Sequence, residues 1–159
     1  MLAQHLNLWD LPGKVIRPDN WHLTIRFLGQ VELSKRELLM SHLDQASLGE
    51  PFDLTLGEMG AFPRSSRASV IWLGLKSGGD DLTQLHQTCE KVVQAAGFPA
   101  EERPYAPHLT LSRLRPVENV TALIDSYQPQ PFRWQAPAVV LYESLPGPTY
   151  VPVEIFPFR

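Results

Sequence analysis

Arg17-Pro18-Asp19-Asn20-Trp21-His22-Leu23-Thr24-Ile25 and Arg103-Pro104-Tyr105-Ala106-Pro107-His108-Leu109-Thr110-Leu111 are two versions of one nine-residue phrase. Arg, Pro, His, Leu and Thr recur at the same five offsets, and Ile stands for Leu at a sixth, which marks a duplicated unit. In an extended strand side chains alternate faces, so His22 and Thr24 project to one side and Leu23 and Ile25 to the other. His108 and Thr110 repeat this over Leu109 and Leu111. Each copy therefore offers an imidazole and a hydroxyl from a strand whose opposite face is apolar enough to anchor in a core. Two such strands facing one another would frame a polar cleft. The two histidines lie 86 residues apart, so they meet only through the fold.

The bulk of the chain sets few obstacles to that reading. Its 159 residues suffice for a real core without staples, and residues 1–159 are read as a single domain. No apolar run approaches the roughly 18 residues of a membrane helix. Residues 1–20 lack the zones of a signal peptide, so a cytoplasmic location and no membrane partner are expected. Cys89 is the only cysteine, which excludes an internal disulfide and reads as a buried apolar filler. A net charge of −3 argues against broad coating of nucleic acid but leaves a small anionic substrate open. Ten of the 14 basic residues are Arg, the side chain suited to forked hydrogen bonding of phosphate.

Outward from the motifs, Leu2, Leu6 and Trp9 read as the last turns of a helix stopped by Pro12-Gly13. A short strand follows at Lys14 to Arg17, and the first motif strand at Asn20 to Leu28. Ser34-Lys35-Arg36-Glu37 reads as a capping box opening a helix with Leu38, Leu39, Leu43 and Ala46 inward. Phe52, Leu54 and Leu56 alternate as a half-buried strand, and Val70 to Leu75 is a more apolar one. Gly78-Gly79-Asp80-Asp81 turns into a second helix with Leu82, Leu85, Cys89, Val92, Val93 and Ala96 inward, ended by Gly97. The second motif strand (about 107–114), a short helix (about 119–126) and strands near 132–143 and 149–157 complete an α+β order without regular parallel crossovers.

His-Leu-Thr-Ile and His-Leu-Thr-Leu fit the signature of the two-histidine phosphoesterases. The longer stretches Arg-Pro-Asp-Asn-Trp-His-Leu-Thr-Ile-Arg-Phe-Leu-Gly and Arg-Pro-Tyr-Ala-Pro-His-Leu-Thr-Leu-Ser-Arg resemble the bacterial RNA 2′,3′-cyclic phosphodiesterases, or 2′-5′ RNA ligases. Val70-Ile71-Trp72-Leu73-Gly74 and Leu141-Tyr142-Glu143-Ser144 are similar to that family too. The resemblance implies two pseudo-symmetric lobes, each with an antiparallel sheet and flanking helices, with the motifs facing across a central cleft. Against that family the first N-terminal strand is missing from this chain: either Met1 is a late start, or the strand is lost and a sheet edge is left open.

The chemistry such a pair can perform is opening of a 2′,3′-cyclic phosphate. One imidazole activates water while the other protonates the leaving ribose oxygen, and an unperturbed pKa of about 6.5 permits one neutral and one protonated ring near neutral pH. His108 is read as the base and His22 as the acid, a direction that the pseudo-symmetry of the two copies leaves open. Thr24 and Thr110 can donate to the non-bridging oxygens as charge gathers there. The resemblance adds Arg113 as a charged fork, but five residues after His108 it falls on the wrong face of an ideal strand, so a twist or bulge near Ser112 must turn it inward.

Arg17 and Arg103 are either phosphate contacts or connectors; Trp21 and Tyr105 either stack on a base or pack in the core. Arg26 and Phe27 read as structural, and His5, His42 and His86 as surface residues on helices. Thr hydroxyls are weak zinc ligands and no paired carboxylate accompanies either motif, so no metal is expected. No Gly-rich nucleotide loop is present, which disfavours ATP-dependent ligation, and no cofactor is expected. The expected partners are RNA ends or nucleotides carrying 2′,3′-cyclic phosphate, met by a monomer. Two other readings remain open: a non-catalytic RNA-end or nucleotide-binding module, and a phosphodiesterase acting on 2′-5′ oligoadenylate.

Overall fold

A computed structural model describes residues 11–130, 132–146 and 149–159. Its strands are β1 (Lys14–Val15), β2 (Phe52–Arg64), β3 (Arg67–Ser77), β4 (Leu109–Glu118), β5 (Arg133–Ala136), β6 (Ala138–Leu145) and β7 (Thr149–Pro157). Its helices are α1 (Leu33–Gln45), α2 (Gly79–Ala95) and α3 (Thr121–Ser126). The expected α+β class holds, as do β7 and the second helix with its buried Leu82, Leu85, Cys89 and Val93. The helix expected at Met1–Asp10 lies outside the described residues.

The chain divides into two compact units, each gathered from three stretches. The first takes Met1–Thr24, Leu54–Gly79 and Pro107–Trp134. It carries a five-stranded sheet in the order β1-β4-β3-β2-β5, with β1/β4, β3/β4 and β2/β3 antiparallel. One face of this sheet buries Leu56, Met59, Ile71, Leu73, Leu109, Leu111 and Leu114, with Val120 at the start of α3 joining the same core.

The second unit takes Ile25–Asp53, Asp80–Ala106 and Gln135–Arg159, with α1, α2 and the antiparallel ribbon β6/β7. Leu39, Leu43, Val93, Ala96, Phe98 and Phe156 form its core. Arg26 is tied into this unit: its Nη1 donates to both carboxylate oxygens of Glu90 at 2.7 Å and its Nη2 to the Pro99 carbonyl at 2.6 Å. The structural reading of Arg26 holds. Phe27 is 70% exposed and belongs to no core.

Several local expectations need correction. Ser34 does not cap α1; Glu32 does, in extended conformation and without a side-chain cap bond, so Ser34 is already inside the first turn. Leu38 is exposed, because Leu39 and Leu43, four apart, carry the buried stripe one position away. The single strand expected near 132–143 is two strands in two sheets, broken at Pro137, which has no amide hydrogen to give a ladder.

The first motif is the largest departure. Instead of a strand over Asn20–Leu28 it makes a 3₁₀ turn at Pro18–Asn20 and one antiparallel bridge, Leu23 to Leu109. The ladder cannot grow in either direction. Beyond Leu109 the partner would be Pro107, which has no donor. In the other sense Trp21 would need Leu111, whose carbonyl already accepts from the Ile16 amide at 2.8 Å.

Candidate active site on the five-stranded sheet

The Leu23–Leu109 bridge brings the duplicated motifs side by side within the first unit. Carried one residue outward, an antiparallel register sets His22 opposite Thr110 and Thr24 opposite His108. Residues so opposed share a face and have Cα atoms about 4.5–5.5 Å apart. Leu109 points to the core, so its motif neighbours His108 and Thr110 lie on the other face. Both imidazoles are half-buried and Thr24 is exposed.

The approach to His22 is locally braced. The chain leaves β1 at Ile16, turns through Pro18–Asn20, and is closed by the Trp21 Nε1 donating to the Ile16 carbonyl at 3.0 Å. Trp21 also packs against the core, so its indole serves the structural alternative named for it. His22 Nδ1 lies 2.8 Å from the Asn20 carbonyl. A carbonyl only accepts, so Nδ1 carries the hydrogen and Nε2 is the acceptor nitrogen of the neutral ring.

Arg113 reaches this face by a bulge. Ile71 pairs with Ser112 but Trp72 with Thr110, so β4 spends an extra residue, Leu111, between two consecutive residues of β3. One inserted residue reverses the alternation beyond it. Accordingly the buried leucines run 109, 111 and then 114, and Arg113 is exposed on the side of His108 and Thr110. The irregularity lies where the strand geometry demanded one. Ser112 itself is fully buried, its hydroxyl donating to the Pro12 carbonyl.

Two aromatic residues absent from the sequence-based site wall His108. Phe62 meets its ring edge-on with centroids 5.0 Å apart, and Trp72 lies at 6.3 Å. The Trp72 Nε1 is buried without a hydrogen-bond partner. Alternation in Val70-Ile71-Trp72-Leu73 could have placed Trp72 here, since Ile71 and Leu73 are the buried pair.

The remaining candidates stand elsewhere. Arg17 is exposed in the first unit. Arg103, in the second unit, is 81% exposed at its side chain with its Nε 3.4 Å from Glu101. Tyr105 stacks flat on His86 at 4.2 Å in that same unit, so neither ring is a plain surface group. Burial, with a smaller contribution from Cys89, pushes the Tyr105 phenol well up. Burial, then the Glu90 charge, pushes the Cys89 thiol to about 11, in keeping with an inert filler. Among the described residues no three His, Cys, Asp or Glu side chains gather as a metal-binding set, and no helix is long and apolar enough to cross a membrane.

An α+β chain with two bridged His-x-Thr copies on one antiparallel sheet has the build of the two-histidine class. Residues 15–147 match the family model of the 2′-5′ RNA ligase superfamily, and the chain belongs to that family. It is 31% identical over 144 residues to the RNA 2′,3′-cyclic phosphodiesterase of Methanocaldococcus jannaschii, covering 86% of this chain and 80% of that protein. To the protein of the same name from Aeropyrum pernix it is 32% identical over 114 residues, 72% of this chain, and the match spans slightly under two thirds of that relative, 64%. Among solved structures, Escherichia coli LigT complexed with 3′-AMP is similar with a TM-score of 0.79 at 26% identity, covering 98% of this chain and 88% of that one.

Proposed function

We propose that this chain hydrolyses a 2′,3′-cyclic phosphate at the end of an RNA or nucleotide, leaving a 2′-phosphate and a free 3′-hydroxyl. The observation that carries this reading is the Leu23–Leu109 bridge, which makes each imidazole the neighbour of the other copy's hydroxyl. The relatives from Methanocaldococcus jannaschii and Aeropyrum pernix, both called RNA 2′,3′-cyclic phosphodiesterases, support it.

In the forward step His108 takes a proton from water while the water oxygen attacks phosphorus. The bond from phosphorus to the 3′-oxygen breaks, and His22 delivers its proton to that oxygen. The Asn20 carbonyl holds the Nδ1 hydrogen of His22, which leaves Nε2 as the nitrogen that exchanges the proton. Thr24 and Thr110 donate to the non-bridging oxygens and Arg113 adds a forked cation, contacts that strengthen as negative charge develops. With a 5′-hydroxyl in place of water, the same two transfers open the 2′,3′-cyclic phosphate at its 3′-oxygen and form a 2′-5′ linkage, a secondary activity.

The test is turnover of nucleoside 2′,3′-cyclic phosphates by the purified chain, with and without a chelator, with the phosphate position read by phosphorus NMR. A 2′-phosphate formed at the same rate in chelator is expected. Binding without turnover would favour the non-catalytic module. Loss of rate in chelator, restored by one divalent ion, would contradict the metal-independent mechanism.

A further inference from the structure

We infer that Arg64 and Arg67, opposed at the turn of the β2–β3 hairpin, bind backbone phosphates of the RNA strand upstream of the terminal nucleotide, so that the site prefers RNA ends to mononucleotides. This rests on the phosphodiesterase reading and deepens it.

Ser65 and Ser66 join β2 to β3, and Arg64 pairs directly with Arg67. Ala68 is fully buried in the core of the first unit, so its strand neighbour Arg67 points to the opposite face. Arg64, directly opposed to it, shares that face. This is the face on which Phe62 and Trp72 wall His108. The turn is braced: the Val120 amide donates to the Ser65 carbonyl at 2.7 Å, and the Ser69 hydroxyl donates to the Phe62 carbonyl at 3.2 Å.

Charge decides what the pair is for. Two like charges directly opposed across strands are destabilising by themselves, and the brace keeps these two opposed. Both residues are exposed, and among the described residues neither guanidinium is in an ion pair or a hydrogen bond. Glu118, set opposite Ala68 by the register, shares the face of that buried residue and not theirs. Arg115 adds a further exposed cation, in the stretch of β4 that separates the Val70–Arg113 and Ala68–Glu118 pairs. In a chain of net charge −3 these arginines run against the overall balance, and a polyanion is the counterpart they fit.

The pair is too far from the reacting centre to share its phosphate. Trp72 stands opposite Thr110, and from Trp72 to Arg67 β3 advances about 15 Å. A stacked strand advances about 3.4 Å per nucleotide and a drawn-out one further, so the phosphates that reach the pair lie roughly two to four nucleotides upstream of the cyclic end. Phe62 is exposed between His108 and the hairpin turn, and along this path it offers a π-face to a passing base.

The experiment compares a nucleoside 2′,3′-cyclic monophosphate with a dinucleotide and a pentanucleotide ending in the same cyclic nucleotide. The proteins are the unaltered chain, the double variant Arg64→Met with Arg67→Met, and the double variant Arg64→Lys with Arg67→Lys. Turnover by the unaltered chain tests the phosphodiesterase reading alone; turnover of none of the three substrates would overturn that reading and this inference together. With turnover established, kcat/KM of the unaltered chain should be about 10-fold higher for the pentanucleotide than for the mononucleotide. The Met variant should lose that gain through KM while keeping its mononucleotide rate. The salt dependence of the pentanucleotide reaction should weaken by about two phosphate contacts, and the Lys variant should recover most of the loss. Equal losses on all three substrates would make the pair a support of the fold, and an unchanged pentanucleotide rate would leave it an idle surface; each overturns the upstream contact while leaving the phosphodiesterase reading in place.

Discussion

Gly60 lies beneath the indole of Trp72, its cross-strand partner, so closely that a Cβ on Gly60 would overlap Cζ2 and Cη2 of the ring. Trp72 is in turn packed with Phe62 at 5.1 Å, and both rings wall His108. Gly60→Ala should therefore push the indole outward and disturb His108 without touching either motif. The expected result is a fall in kcat of about 10-fold or more, with destabilisation of about 1–3 kcal/mol. Near-ultraviolet circular dichroism and steady-state kinetics read the two effects. An unchanged aromatic signal together with unchanged kcat would show that the ring has room to spare.

His22→Ala and His108→Ala should each remove most turnover while leaving the fold intact, because the proposed mechanism gives each ring a different proton transfer. Losses of roughly 10²–10⁴-fold are expected for each. The pH–rate profile should be bell-shaped in the unaltered chain and lose one limb in each variant that retains measurable activity. Near-normal rates in either folded variant would falsify the two-histidine mechanism.

Thr24→Val and Thr110→Val should lower kcat more than they raise KM, since the proposed mechanism sets the hydroxyls against charge that grows in the transition state. Arg113→Lys should also be harmful, because Lys keeps the charge but loses the planar fork. If these variants change only KM, the three residues bind the ground-state phosphate and the assignment to transition-state charge is wrong.

Glu90 ties pH to the stability of the second unit. Burial alone would raise its carboxyl, but the Glu101 amide, the Gln94 side chain and Arg26 together outweigh that and hold it below the ordinary value of 4.5. A depressed folded value means the unfolded chain binds the proton more tightly. The stabilisation is therefore present above the unfolded value and is lost as pH falls from about 4.5 through the lowered folded value. Glu90→Ala should cost about 3 kcal/mol at neutral pH, the scale of breaking a buried pair. Chemical denaturation from pH 7 to pH 3 should show that difference shrinking at the acid end. A difference independent of pH would mean that packing, not charge, is what Glu90 contributes.

Much of this protein is written locally. The alternation of His22 and Thr24 with Leu23, and of His108 and Thr110 with Leu109, separated the polar face of the motifs from the apolar one because side-chain direction in extended chain depends only on position parity. The stripe of α2, with Leu82, Leu85, Cys89 and Val93, was legible for the same kind of reason, as was Gly97 with φ +96° at its end. Even the irregularity in β4 was foreseeable, since Arg113 could join His108 only if the parity reversed between them.

Pairing was decided elsewhere. That Leu23 bridges Leu109, that Lys14 stands opposite Arg113, and that Trp72 lies over Gly60 are facts about which strand comes to rest beside which. The Asn20–Leu28 segment reads as a strand by pattern, yet it has one bridge, because Pro107 offers no donor and the Leu111 carbonyl was already taken by Ile16. A residue's own preference for extended backbone is local, but a ladder needs an unclaimed partner. Which donors and acceptors remain unclaimed is known only once the remote parts of the chain have been brought together.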